Sequence, residues 1–92
     1  MIRGFKTRET EALWNGEAAG RFRNIEAQAV RKLDMLNNAI SLTDLRSPPG
    51  NRLEALKGNR AGRHSIRIND QWRLCFVWTK EGPTDVEIVD YH

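Results

Sequence analysis

Ninety-two residues, 39% hydrophobic and 29% charged with a formal charge of +3, suit one small α+β domain spanning residues 1–92. No apolar run approaches a membrane span, the first residues lack the apolar core of a secretory signal, and the single cysteine, Cys75, excludes a disulfide framework. The expectation is a reducing, cytoplasmic setting with no membrane partner.

The charge is unevenly placed. Up to Asp44 acids and bases nearly balance, whereas Leu45–Lys80 holds eight basic residues against Glu54 and Asp70. A basic middle with Trp and His interleaved suits a polyanion, nucleic acid first, and equally suits a plain basic surface.

In chain order, Ile2–Phe5 reads as a short opening strand. Thr7 or Thr10 suits the cap of a short helix through Ala12, Leu13 and Trp14, which Gly16 ends. The clearest helix runs from about Asn24, its expected N-cap, to Ala39. Ile25, Ala29, Leu33, Leu36 and Ile40 draw one apolar stripe along it. Ser41–Leu45 suits a brief helical turn, and Ser47-Pro48-Pro49-Gly50 breaks any continuation. A strand over Arg52–Lys57 follows.

Two strands of a hairpin come next. Ile66 and Ile68 alternate with Ser65 and Arg67, and Trp72, Leu74, Phe76 and Trp78 alternate with Arg73, Cys75 and Val77. Asn69-Asp70 suits a two-residue turn between them. One face is apolar, and the other carries Arg67 and Arg73. A last strand over Val86–Tyr91 follows a turn at Lys80–Pro83. The order is β-α-α-β-β-β-β: two N-terminal helices packed on a small, mainly antiparallel sheet. There is no phosphate-binding Gly-Lys loop, no paired-cysteine zinc spacing and no nucleophile elbow, and no metal or cofactor is expected.

A ribonuclease that uses the 2′-hydroxyl of its substrate needs a base, an acid and fixed cations for the charge that gathers on the phosphorane. Lys57, Arg73 and Arg67 are candidate cations on neighbouring strands. Asp90-Tyr91-His92 gathers an acid, a phenol and an imidazole, and imidazole titrates near neutrality.

The residues that carry this chemistry also carry a resemblance. Ser47-Pro48-Pro49-Gly50-Asn51-Arg52-Leu53, Leu56-Lys57-Gly58, Ser65-Ile66-Arg67-Ile68-Asn69, Trp72-Arg73 and the closing Asp90-Tyr91-His92 resemble the HigB toxins. These are host-inhibition toxins of the RelE/ParE superfamily, and the wording looks closest to the GraT-like branch. The resemblance covers essentially the whole chain. It implies a toxin that cuts mRNA on the ribosome without a metal and is restrained by a cognate helix-turn-helix antitoxin. That antitoxin would also carry the complex to promoter DNA. The resemblance points to Lys57 and Arg73 for phosphate binding and transition-state stabilisation, to Asp90 and His92 for acid–base work, and to Tyr91 for orienting the nucleotide. Arg52, Arg60, Arg63 and Arg67 would then dock RNA and the ribosome.

One position departs from the family. Some HigB proteins carry a histidine before the Leu-Lys-Gly segment, where this chain has Glu54. Two roles fit Glu54: a general base, against the repulsion of its charge from the scissile phosphate, or a counter-ion for Lys57 or Arg52. His64 alternates onto the apolar face, which suits a packed histidine better than a substitute base. A blander alternative is a toxin weakened in catalysis through Glu54 that mainly binds its antitoxin, and the rival class is a binding module. ParE-type members share the fold and poison DNA gyrase, and such a protein has no need of Asp90-Tyr91-His92 beside Lys57 and Arg73.

Overall fold

A computed structural model describes residues 1–17, 20–60 and 62–90, Arg60 by its backbone alone. The regular elements are α1 (Arg8–Trp14), α2 (Glu26–Asn38), β1 (Glu54–Ala55), β2 (Arg63–Arg67), β3 (Trp72–Thr79) and β4 (Gly82–Asp90). The strands form one antiparallel sheet in the order β1-β2-β3-β4. The helices pack on one face of it, as the alternation of Ile66, Leu74 and Phe76 requires.

Local chemistry explains α1. Thr7 caps it, its hydroxyl oxygen accepting the Thr10 N–H, and Glu9 and Glu11 suit the positive end of the helix dipole. At the other end Gly16 takes φ +83°, so its N–H reaches the Leu13 carbonyl and Glu17 N–H the Ala12 carbonyl. Thr10 is fully buried, and its hydroxyl oxygen accepts the Ile88 N–H at 3.1 Å. That bond satisfies an outward-facing amide of β4. The rest of that edge is occupied by residues 3–6, which run parallel to β4 through Arg3 N–H to Pro83 O and Val86 N–H to Gly4 O. The opening strand is thus present as a parallel edge reduced to one ladder bridge, Phe5 to Val86.

The stripe of α2 holds at Ile25, Ala29, Leu33 and Leu36, all buried, and fails at both ends of the expected helix. Asn24 lies within a 3₁₀ turn over Gly20–Ile25, and the N-cap is Ile25, with no side-chain cap bond. Burial of Phe22 and Ile25 fixes the entry to the helix, so packing decides the start rather than capping. At the exit Ala39 is extended, and Ile40 N–H turns to the Asp44 carboxylate. Ile40 is therefore 91% exposed and no part of the core.

Ser41 and Asp44 form a capping box over the 3₁₀ turn Leu42–Arg46. The segment beyond it is pinned by Asn51 and ends with Arg52 at φ 45°. Only Glu54–Ala55 of the expected 52–57 strand pairs with β2, because the chain leaves a left-handed residue at Arg52 and turns again at Gly58.

The β2–β3 connection differs from a two-residue turn. Ile68 N–H and Asn69 N–H both reach the Trp72 carbonyl, leaving Asn69–Gln71 as the loop. The Asn69 side-chain oxygen accepts the N–H groups of Gln71 and Trp72, and neither Asn69 nor Asp70 takes a positive φ. This loop sets the register Arg67 to Arg73, with both guanidinium groups on the face opposite the helices. The last strand is also longer than its Val86 start predicted. It begins at Gly82 and carries an irregularity at Asp85, φ 51°, opposite Cys75–Val77.

Candidate active-site cleft on the outer sheet face

The outer face is not simply solvated. Ser65 and Cys75 are fully buried there, and Arg73 is only 8% exposed. A long cation can be buried when its donors are met. Arg73 Nε donates to Ser65 Oγ at 2.8 Å, and Nη2 donates to the Arg52 carbonyl at 2.7 Å and to the Ser65 carbonyl at 3.3 Å. The Glu54 carboxylate stands 3.8 Å from Nε. Glu54 is therefore a counter-ion of Arg73, a partner different from the Lys57 or Arg52 weighed from sequence.

Arg73 forms part of the wall of a cleft of about 180 Å³ together with Arg52, Arg67, Asn69 and Asp70. Three of the predicted cations thus converge. β2 and β3 supply Arg67 and Arg73 through the register, and the left-handed turn supplies Arg52. Arg67 pairs with Asp70 in the loop. Asp90 closes β4 opposite Trp72, and its carboxylate accepts Gln71 Nε2 at 3.2 Å. The end of β4 therefore lies beside the loop that rims the cleft.

Other candidates stand apart. Leu56 N–H bonds Arg63 O, so the exposed Lys57 that follows lies toward the opposite end of β2 from Arg67. It is not among the cleft-lining residues. Arg63 is held by Glu87 at 3.5 Å and Asp85 at 3.9 Å and donates to the Asp85 carbonyl. The backbone of Arg60 forms a 3₁₀ turn with Gly58 and Asn59. Tyr91 and His92 lie outside the described residues. His64 stacks on Phe76 with ring centroids 6.2 Å apart, as a packed histidine should, and its Nδ1 is buried without a hydrogen-bond partner among the described residues.

Sequence reasoning missed two contributors. Lys32, on α2, donates to Asn51 Oδ1 at 2.5 Å. Burial first, then repulsion from Arg31 and Arg67, pulls its ammonium pKa below the usual lysine range, so it stands close enough to feel the cationic cleft. Asn51 itself is fully buried beneath the Pro-rich turn. The available signal was position: Lys32 sits three past Ala29 and four before Leu36, at the border of the stripe.

Among the described residues, no group of three His, Cys, Asp or Glu is placed to hold a metal ion, and no helix is long and apolar enough to cross a membrane.

Comparison with known proteins narrows the reading. A family described as HigB-like toxin, a RelE-like toxin of type II toxin–antitoxin system HigB, matches residues 13–92. Over 55 residues the chain is 53% identical to Toxin HigB-1 of Vibrio cholerae serotype O1, covering 60% of this chain and 58% of that protein. It is 43% identical over 55 residues to an uncharacterized protein of Haemophilus influenzae, covering 60% of this chain and 54% of the other. The matched part thus spans little more than half the length of these curated relatives. In three dimensions the chain resembles the YoeB–YefM complex from Staphylococcus aureus, with TM-score 0.64, 20% identity and coverage of 100% and 98% of the two chains. It also resembles YafQ from E. coli strain BL21(DE3), with TM-score 0.55, 15% identity and coverage of 98% and 91%. At these identities the structures establish the fold, two helices on a four-stranded antiparallel sheet. With the family matched across all but the first twelve residues, the chain belongs to the HigB-like toxins, the RelE-like toxins of type II toxin–antitoxin systems.

Proposed function

We propose that the chain is a single-domain, cytoplasmic toxin that cleaves mRNA on the ribosome and is neutralised by a cognate helix-turn-helix antitoxin. The observation that carries this reading is the Arg73 guanidinium, locked by Ser65 and Arg52 in the wall of a three-arginine cleft. In-line attack by a 2′-hydroxyl on the adjacent phosphorus forms the 2′-O–P bond and breaks the bond to the 5′-oxygen. The products are a 2′,3′-cyclic phosphate and a free 5′-hydroxyl. The base takes the 2′-hydroxyl proton, and the acid returns one to the leaving oxygen. Negative charge builds on the phosphorane oxygens, and preorganised guanidinium donors stabilise it there more than in the ground state.

In this reading Arg73 and Arg67 hold the scissile phosphate, which must compete with Asp70 for Arg67. Arg52 adds charge at the rim. Asp90, beside the rim, and His92 are the acid and base, and Tyr91 orients the base of the nucleotide. Glu54 acts as the counter-ion of Arg73, which leaves the base role to the C-terminal pair. Lys57, Arg60 and Arg63, toward the other end of β2, bind flanking phosphates or ribosomal RNA, a sequence-independent attraction. The antitoxin complex binds promoter DNA. The reaction needs no metal, because the guanidinium groups meet the phosphorane charge.

Primer extension on a defined mRNA in a reconstituted translation reaction, with and without ribosomes, tests the proposal. Cleavage that appears only with ribosomes supports it. Intact mRNA together with arrested growth in cells overturns it in favour of a non-nuclease target such as gyrase.

A further inference from the structure

The guanidinium of Arg73 is aimed partly by a backbone carbonyl, so whatever fixes that carbonyl fixes the cation. The carbonyl belongs to Arg52, which has φ 45° and ψ 55°. This is a left-handed conformation that a residue with a Cβ disfavours and keeps only when its neighbours enforce it. The Arg52 N–H donates to the Pro49 carbonyl at 3.1 Å, and the residue before it, Asn51, is anchored through its side chain. Its side chain is fully buried, and its Nδ2 donates to the Leu45 carbonyl at 3.1 Å and the Ser47 carbonyl at 3.3 Å. Nδ2 also lies 3.0 Å from Met35 Sδ. Its Oδ1 accepts Lys32 Nζ at 2.5 Å. One amide thus ties α2 to the Pro-rich turn, one residue before the carbonyl that receives Arg73.

We infer that Lys32 and Asn51 are positioning residues for Arg73, acting through the left-handed Arg52 carbonyl. The inference rests on the proposed nuclease reading for its catalytic consequence, but not for its structural one. An ammonium is suited to the task. It is a strong donor to the amide oxygen, which orients the amide so that Nδ2 faces the two carbonyls. Lys32 donates this bond although burial, then Arg31 and Arg67, lower its pKa from the usual lysine range.

Two measurements on the intact chain test it. The first is the NMR signal of the Arg73 Nε–H, assigned by its loss in Arg73→Ala. In the wild type this proton is donated to Ser65 Oγ and is expected to exchange slowly. Lys32→Met keeps an unbranched apolar stem as far as Cε but removes the donor, and is expected to shift and broaden the signal. Asn51→Ala is expected to do so more strongly, with a melting curve recorded to confirm folding. The second is single-turnover cleavage of ribosome-bound mRNA. Lys32→Met is expected to lower the rate at saturation by roughly 10- to 100-fold, as slight misplacement of a catalytic group does, with half-saturation unchanged. In an Arg73→Ala background it should cause no further loss.

An unchanged Nε–H signal in both variants overturns the inference. So does a loss that multiplies with Arg73→Ala, or one confined to half-saturation, which would make Lys32 a plain phosphate-binding cation. If Arg73→Ala itself leaves cleavage intact, the catalytic role of Arg73 fails, and if the wild type leaves the mRNA intact the nuclease reading fails, while in both cases the NMR arm still decides the positioning.

Discussion

Replacing Arg73 by lysine keeps the charge and removes the fork. The guanidinium meets the Ser65 hydroxyl at 2.8 Å and the Arg52 carbonyl at 2.7 Å from two different nitrogens. One tetrahedral ammonium on a shorter stem cannot stand in both places. One short bond to a charged donor is lost, and hydrogen bonds of that kind contribute about 1.5–3 kcal/mol. The Glu54 contact adds little to this figure, because Glu54 is half exposed, lies 3.8 Å away and also faces a cation in the variant. For a chain of this size the loss corresponds to a fall in Tm on the order of 10 °C. If the fork also serves the transition state, cleavage should drop by roughly 10²–10³-fold, as when one preorganised donor is removed. Differential scanning calorimetry and single-turnover cleavage at a temperature where both proteins are folded give the two numbers. Wild-type Tm and wild-type rate together would refute the geometry. The expected fall in Tm with cleavage untouched would make Arg73 a structural cross-link rather than a catalytic residue.

Three further substitutions examine the scaffold. Thr10→Val keeps the shape but leaves the Ile88 N–H of β4 buried without its acceptor. It should destabilise by about 1–3 kcal/mol in urea unfolding and speed hydrogen exchange at Ile88. Gly82→Ala places a Cβ 2.5 Å from the Met1 carbonyl oxygen at φ +124°. Loss of protection at Arg3 and Lys6, with the β2–β3 amides unaffected, is the expected exchange pattern. Asp44 has its pKa held below the ordinary carboxylate range by the N–H groups of Ile40 and Ser41. A lowered folded pKa contributes stability that is complete above the unfolded value and lost as pH falls through the folded one. The stability gap between wild type and Asp44→Ala should accordingly be constant near neutrality and narrow on acidification below the ordinary carboxylate range, read from urea midpoints.

The parts of the fold visible in the sequence are those fixed by short-range periodicity. Alternation from Ser65 to Trp78 gave the hairpin faces, and the spacing of Ala29, Leu33 and Leu36 gave the helix that covers one of them. Gly16 ended α1 because a local backbone angle required it. Contacts between distant residues were not visible. Asn69 reads as a turn residue in either loop length, and only its carboxamide, reaching two amides, selects the longer one. Ile40 fits the stripe by number, yet the chain unwinds at Ala39 before the stripe reaches it. The burial of Arg73 escaped for the same reason. An arginine on the face opposite the core reads as solvated until the Arg52 turn, 21 residues earlier, folds over it. The Lys32–Asn51 bond spans 19 residues and joins a helix border to a Pro-rich turn, a pairing no periodicity encodes.

The most direct test of the account is the chemistry of the cut ends. Wild-type protein would be added to ribosomes paused on a defined mRNA, with one sample carrying a 2′-deoxynucleotide at the cleavage position, and the 5′ fragment analysed by mass spectrometry. A 2′,3′-cyclic phosphate is expected on the native mRNA, with no cleavage on the deoxy-substituted one and none with Arg73→Ala on either. A fragment ending in a 3′-hydroxyl, or cleavage that survives removal of the 2′-hydroxyl, would contradict the account.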